Sequence, residues 1–408
     1  MTVSAMKAIV MRAGPARYAV LQALRPINRS FCYSGPFSSV SLEDIPEPAL
    51  PSPEWVKIKT AICGFCGSDL NLILMKDSPT AMPFTSFPCV PGHEVCGEIV
   101  EAGSAAKGWS AGDRVALCPM LGCEARGITQ PCRSCRLGLY SNCENSAEGD
   151  IAPGMFTGIC SDINGGFAPY LVAHKSQLFR IPGNMTFGSA VLTEPLAVSL
   201  QAVLDSRPGN DETILIIGGG VIGLFVVKAI RGLGIQCSIT VADPSPLAAE
   251  YTVKSGADRV ISGDLIGAAV EITGGRAYKP VIGEPVVMGG FTRIYDTVAS
   301  SMTLRTAMRI LAAGGTLSVL GIGGNVKLDL TPLWLKLQTI KGCFGYGRHT
   351  EKGVSRPVFG MALDMLASGK VRAEEMLTHE FAIEDFRKMI DVNLSKSRHR
   401  AMKTAIRF

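Results

Sequence analysis

The feature that most constrains the fold is a strand that runs directly into a glycine turn. Residues 213–218, TILIIG, are apolar and β-branched, and they lead into Gly218-Gly219-Gly220-Val221-Ile222-Gly223. This is G-x-G-x-x-G, followed by a helical pattern over 223–234 (GLFVVKAIRGLG) and a second strand pattern over 238–243 (SITVAD). Gly218 permits the tight turn, Gly220 lets the backbone approach a pyrophosphate, and Gly223 allows close helix–strand packing. The first helical turn, through Val221 and Ile222, offers free N–H groups and the positive end of the helix dipole. Asp243 ends the second strand, twenty positions after Gly223. A carboxylate there accepts hydrogen bonds from the adenosine ribose hydroxyls and repels a 2′-phosphate, so NAD is expected over NADP. The alternative reading of Asp243 is a helix N-cap ahead of Pro244, and one carboxylate can serve both roles.

Further strands are expected at 292–298 (TRIYDTV) and 316–322 (TLSVLGI), with a helix at 304–313 between them. Strands alternating with helices imply βαβ units and a doubly wound parallel sheet. The stretch 262–290 is less regular and reads as a decorated helix–loop segment. The first ~190 residues differ, being rich in Pro, Gly and Cys with short β-branched runs at Trp55–Ile62 and Glu98–Glu101, a pattern of turn-rich β structure. The pattern changes near Ser199, and after Gly345 the alternation stops, leaving a helix at VFGMALDMLASGK and a last strand, AMKTAIRF. At 408 residues the chain suits two domains.

With 47% hydrophobic and 18% charged residues, the chain reads as globular rather than disordered. The net charge of +5 is spread thinly, which argues against nucleic-acid or anionic-membrane partners. The longest uncharged run, Ile310–Val326, is interrupted by five glycines and falls short of the ~20 apolar residues of a membrane helix. The N-terminal MTVSAMKAIVM lacks the sections of a secretory signal, so a cytoplasmic location is expected. Thirteen cysteines in such a chain point to metal or catalytic thiols rather than a disulfide framework.

Two short stretches carry ligand chemistry: Cys63-Gly64-Phe65-Cys66-Gly67-Ser68-Asp69 and Pro91-Gly92-His93-Glu94. A thiolate, an imidazole and a carboxylate suit a zinc ion that keeps one position open for substrate. His93 is one of only five histidines and stands beside a carboxylate in a Pro-Gly turn. His174 reads as a surface or interface residue, and the basic run Lys396–Arg400 as a solvated segment.

The motifs GFCGSD, PGHE, GEIVEAG, GDRV, GGFAPY and EPLAV, in this order ahead of the glycine turn, resemble the zinc-dependent medium-chain dehydrogenase/reductase superfamily. The sorbitol, threonine and glucose dehydrogenase branch is the nearest in pattern. The resemblance implies a GroES-like β-rich catalytic domain over 1–196 and 345–408 and a Rossmann domain over 197–344, with the site in the cleft between them. It also implies a homodimer or homotetramer acting on a small-molecule alcohol or carbonyl. Cys66 and His93 correspond to catalytic-zinc ligands, with Glu94 or Glu194 supplying the third donor. Ser68 corresponds to the residue that relays the substrate proton, and Asp69 to the one that orients the zinc-bound histidine. Spacing favours Cys66 over Cys63, which is expected to pack as a neutral thiol.

Cys132-x2-Cys135-x7-Cys143 matches the last three cysteines of the superfamily's structural zinc lobe. The first should fall at 129, where Thr129 stands; Cys123 is the expected replacement and Cys118 the second choice. Three departures accompany the match. Asn71 replaces a frequent histidine, Ala248 replaces a basic residue after the ribose acid, and the stretch from Tyr18 to Pro48 is longer than usual. The expected reaction is hydride transfer between a secondary alcohol or polyol and NAD, zinc polarising the hydroxyl. The alternative is a biosynthetic carbonyl or iminium reductase built from the same parts.

Overall fold

The structure, a computed structural model, describes residues 5–408. The first four residues of the segment read for a secretory signal lie outside the described residues; Ala5–Met11 is a strand paired antiparallel with Val40–Pro46. The chain divides into two units. One comprises Met1–Glu194, Tyr346–Ser368 and Ala373–Phe408, and the other Pro195–Gly345 with a short return at Gly369–Arg372.

The first unit is built on a seven-stranded, mostly antiparallel sheet. Its central strand, Trp55–Phe65, pairs with Glu94–Ala102, Tyr170–His174 and the last strand, Lys403–Arg407. Val56, Ile58, Ile62 and Cys63 are fully buried along it, while Lys59 faces solvent. Its C-terminal end delivers Cys66 to the start of a short helix, Gly67–Ile73, and the neighbouring strand begins at Glu94. Two sequence-distant ligand stretches thus meet at one sheet end because Gly64 is in register with Glu94.

The second unit carries six parallel strands in the order Arg259–Ile261, Ser238–Ala242, Thr213–Ile217, Phe291–Asp296, Leu311–Val319, Thr339–Gly342. Numbered within this sheet the order is 3-2-1-4-5-6, the doubly wound Rossmann arrangement. Ile214–Ile217 are buried on both faces, which is why the sequence there is a continuous apolar run rather than an alternating one. The helix Val221–Gly232 buries Leu224 to Ile230, including the stem of Lys228.

The segment 262–290 departs from the expected helix–loop. Leu265–Thr273 is a helix, but Arg276–Tyr278 and Val286–Met288 form an antiparallel hairpin outside the main sheet. Strands of three residues are too short to show a period of two, so this hairpin left no pattern in the sequence. The helical stretch Phe187–Asp205 is long and apolar enough to cross a membrane, but most of it (83%) is buried inside the protein, as a core helix would be.

Candidate metal and dinucleotide sites

Around Cys66 the local structure holds each donor in place. Cys66 is the N-cap of helix Gly67–Ile73: its sulfur accepts the Asp69 N–H, and the Asp69 carboxylate accepts the Cys66 N–H at 2.9 Å. The other Asp69 oxygen lies 3.3 Å from His93 Nδ1, leaving Nε2 to point toward Ser68 Oγ at 3.5 Å. Gly92, at φ 95°, brings His93 into this position; a Cβ there would collide with Phe167 and the Cys63 sulfur. His93 is buried and packs edge-on against Phe156, with ring centroids 5.2 Å apart.

The donor atoms of Cys66, His93 and Glu94 all lie within 4.8 Å of one another. This donor set fits zinc in a second way as well. Burial opposes a charged imidazolium at His93, yet the Asp69 carboxylate and then Cys66 outweigh it and raise its pKa well above the ordinary histidine range. The site therefore carries a field that favours a cation, which a metal ion held by these donors would supply. Glu194 lies outside the 4.8 Å group. It is buried, and burial pushes its carboxyl up to about 7; His93 opposes that shift and Glu94 reinforces it. Cys63 stays in the apolar core, where burial raises its thiol well above the ordinary range.

The structure also gathers Cys123, Cys132, Cys135 and Cys143 within 4.8 Å of one another. Cys123 Sγ is 3.5 Å from Cys143 Sγ and accepts the Cys132 N–H at 3.3 Å; Cys132 Sγ accepts the Cys135 N–H at 3.4 Å. N–H groups aimed at sulfur favour thiolate over thiol, as a closed tetrahedral zinc site requires. Thr129 is exposed, and Cys118 is buried beside Tyr346; neither joins the group.

In the second unit Gly218 has φ 98°, and a Cβ on Gly223 would meet the Gly218 carbonyl oxygen at 1.9 Å. Gly220 is the N-cap of Val221–Gly232, so the first N–H groups of that helix, including those of Val221 and Ile222, have no partner within it. Asp243 follows the strand Ser238–Ala242 and accepts Gly219 N–H at 2.7 Å and Ser245 N–H at 2.8 Å. It is not a helix cap. Ser245 caps the next helix, Pro246–Ser255. Ala248 packs against Gly219 at the position where a basic residue was expected.

The family description "Alcohol dehydrogenase GroES-like domain" matches residues 52–183, and "Zinc-binding dehydrogenase" matches residues 221–359. L-idonate 5-dehydrogenase of Vitis vinifera is 30% identical over 335 residues, covering 81% of this chain and 82% of that one. The chain belongs to the zinc-dependent medium-chain dehydrogenases. Sorbitol dehydrogenase of Bacillus subtilis is 27% identical over 85% of this chain and 88% of its own. The fold of an alcohol dehydrogenase from E. coli CFT073, solved with NADH, overlays at a TM-score of 0.76 with 22% identity, covering 99% of this chain and 100% of that one. The dehydrogenase is an NAD(P)-dependent enzyme of the alcohol class.

Two residues that position these sites in the dehydrogenase carry no sequence signal. Lys403, in the last strand, forms a fully buried ion pair with Glu94. Burial alone would lower the lysine's pKa, but the Glu94 charge reverses that and raises it. Arg126, fully buried, donates to the carbonyls of Leu121, Glu148, Ile151, Ala152 and Gly154 at 2.5–3.3 Å. It ties the loop after Cys123 to the segment after Cys143. Arg126→Ala should cost about 3–5 kcal/mol, since several buried acceptors lose their donor together. Chemical denaturation checks this; a loss under about 1 kcal/mol would show the loop holds without it.

Two sequence readings are corrected. His174 is not a surface residue: it is 1% exposed, lies edge-on to Trp55 at 5.6 Å, and its Nδ1 pairs with Ser176 at 2.7 Å. It ends a central-sheet strand, and such ends are covered by the following turn. The basic run is only partly solvated. Arg398–Arg400 are exposed, whereas Lys396 donates to the Met402 carbonyl at 2.8 Å, and burial lowers its pKa to about 8.

Proposed function

We propose that the dehydrogenase interconverts a secondary alcohol or polyol and its carbonyl with NAD, and that Cys66, His93 and Glu94 hold the catalytic zinc. The observation that carries this reading is the close approach of those three donors, with Asp69 on the far nitrogen of His93 and Ser68 beside the near one. Zinc supplies Lewis acidity that lowers the pKa of a coordinated hydroxyl. Asp69 fixes the ring orientation of His93, and Ser68 Oγ receives the substrate proton. Asn71, half-buried on the same short helix, cannot titrate, so the proton leaves Ser68 for water. Glu194 is the reserve carboxylate. Its position outside the donor group favours Glu94 as the third ligand. Cys123, Cys132, Cys135 and Cys143 would hold a second, structural zinc. Screening polyols, amino alcohols and cyclic alcohols for NADH formation tests the substrate class; no NADH from any of them would refute it.

Asp243 supports NAD, because two backbone N–H groups fix its carboxylate beside the glycine turn while lone pairs remain for ribose hydroxyls. NAD should be preferred to NADP by a factor on the order of ten or more in kcat/KM. An equal or better rate with NADP would refute the assignment.

A homo-oligomer is supported by the edge strand Thr339–Gly342, beside which Trp334, Leu337 and Ile340 are exposed. A cytoplasmic location is supported by thirteen cysteines without a disulfide among them.

A further inference from the structure

The long N-terminal stretch does two things in the structure, and only one of them is structural. Its helix, Pro15–Leu24, places Gln22 and Arg25 against a turn whose Met75 has φ 51°. Gln22 Nε2 donates to the Met75 carbonyl at 2.6 Å, and Arg25 Nη1 to the Leu74 and Met75 carbonyls at 2.9 and 2.8 Å. That turn ends the helix bearing Ser68 and Asp69, so the insertion braces it.

The second feature is a cavity of about 720 Å³ that lies wholly within the first unit. Arg25, Arg29, Lys76, Arg398 and His399 line it, and Asp391 is the only carboxylate among its lining residues. Asp391 is already engaged, accepting the Tyr33 hydroxyl at 2.5 Å. Arg29, Lys76 and Arg398 have no side-chain ion pair among the described residues. Partial burial, and then the like charges of Arg29 and Arg25, hold the Lys76 ammonium below the ordinary lysine range. Four basic side chains thus line one concavity against one occupied carboxylate. An anion bound among them would offset the like charges of Arg29 and Arg25 that act on Lys76.

We infer that this cavity is a binding site for a small phosphorylated ligand carrying two anionic groups, separate from the dinucleotide and metal sites. Arginine forks match phosphate oxygens two at a time, and Arg29 with Arg398 bring such forks from opposite ends of the chain. The volume falls in the usual range for a metabolite, roughly 300–1,000 Å³. A polyanionic chain is a poorer match, because 40 basic against 35 acidic residues leave no surplus for an extended track beyond the cavity.

The test uses the zinc-loaded enzyme saturated with NAD, so that the glycine turn is filled, and titrates fructose 1,6-bisphosphate by calorimetry at fixed ionic strength. Binding should be sub-millimolar, at least about tenfold tighter than inorganic phosphate, and weakened at least about tenfold in Arg29→Ser/Arg398→Ser. Both arginines are exposed, so the double variant folds, and its thermal midpoint without ligand confirms this. Lys107→Ser, which alters an exposed lysine outside the cavity lining, should bind as the wild type does. No detectable binding to the wild type, unchanged affinity in the double variant, or an equal loss in Lys107→Ser would each overturn the site. Phosphate binding as tightly as the bisphosphate would overturn the two-anion ligand.

Discussion

Replacing Cys66 or His93 by alanine is expected to lower kcat by at least about a thousandfold, the scale of losing a Lewis acid worth several kcal/mol. NAD affinity should stay within about tenfold of the wild type, because ligand set and glycine turn belong to different units of the chain. Fluorescence titration of NAD against each variant, alongside steady-state rates, measures both. Equal loss of cofactor affinity in the two variants would remove the separation on which the assignment rests. Asp69→Asn should fall between the extremes, roughly 10–100-fold down, since it touches His93 only at Nδ1.

The second large effect concerns the four-cysteine lobe. Metal analysis of the wild type should give about two zinc per chain, and about one in Cys123→Ser. The lost zinc should appear chiefly as lost stability, because an isolated lobe of this kind closes only around its metal. A drop in thermal midpoint on the order of 10 °C is expected, while residual activity at low temperature survives. Wild-type protein with one zinc, and a Cys123→Ser variant unchanged in metal and midpoint, would show that the lobe holds no metal.

What the sequence disclosed about these sites follows the range of the interactions. The glycine turn was legible because its whole argument, from Thr213 to Asp243, fits within one strand–helix–strand unit. Cys123 could be named as the replacement for Thr129 because both lie in one loop, and the structure does bring Cys123 to the other three sulfurs. Arg126 could not be found this way: its five acceptors are carbonyls, which every residue possesses. The Arg276–Met288 hairpin was invisible because its strands are three residues each. His174 misled because a histidine following an apolar strand looks like the start of a loop, whereas here it closes the strand opposite Trp55.

The pairing of Glu94 with Lys403 spans 309 positions, and the intervening chain contains the whole second unit. On the ribosome, the carboxylate emerges long before the amine that neutralises it. Until the last strand is made, the sheet between Glu94–Ala102 and Trp55–Phe65 lacks its neighbour, and a charge bound for the interior must stay in water. The second unit has all its strands much earlier and is free to fold while translation continues. Completion of the sheet around Glu94 thus waits for the last strand, and termination between Arg372 and Lys403 would yield a chain with every strand of the second unit but an open, aggregation-prone sheet edge in the first.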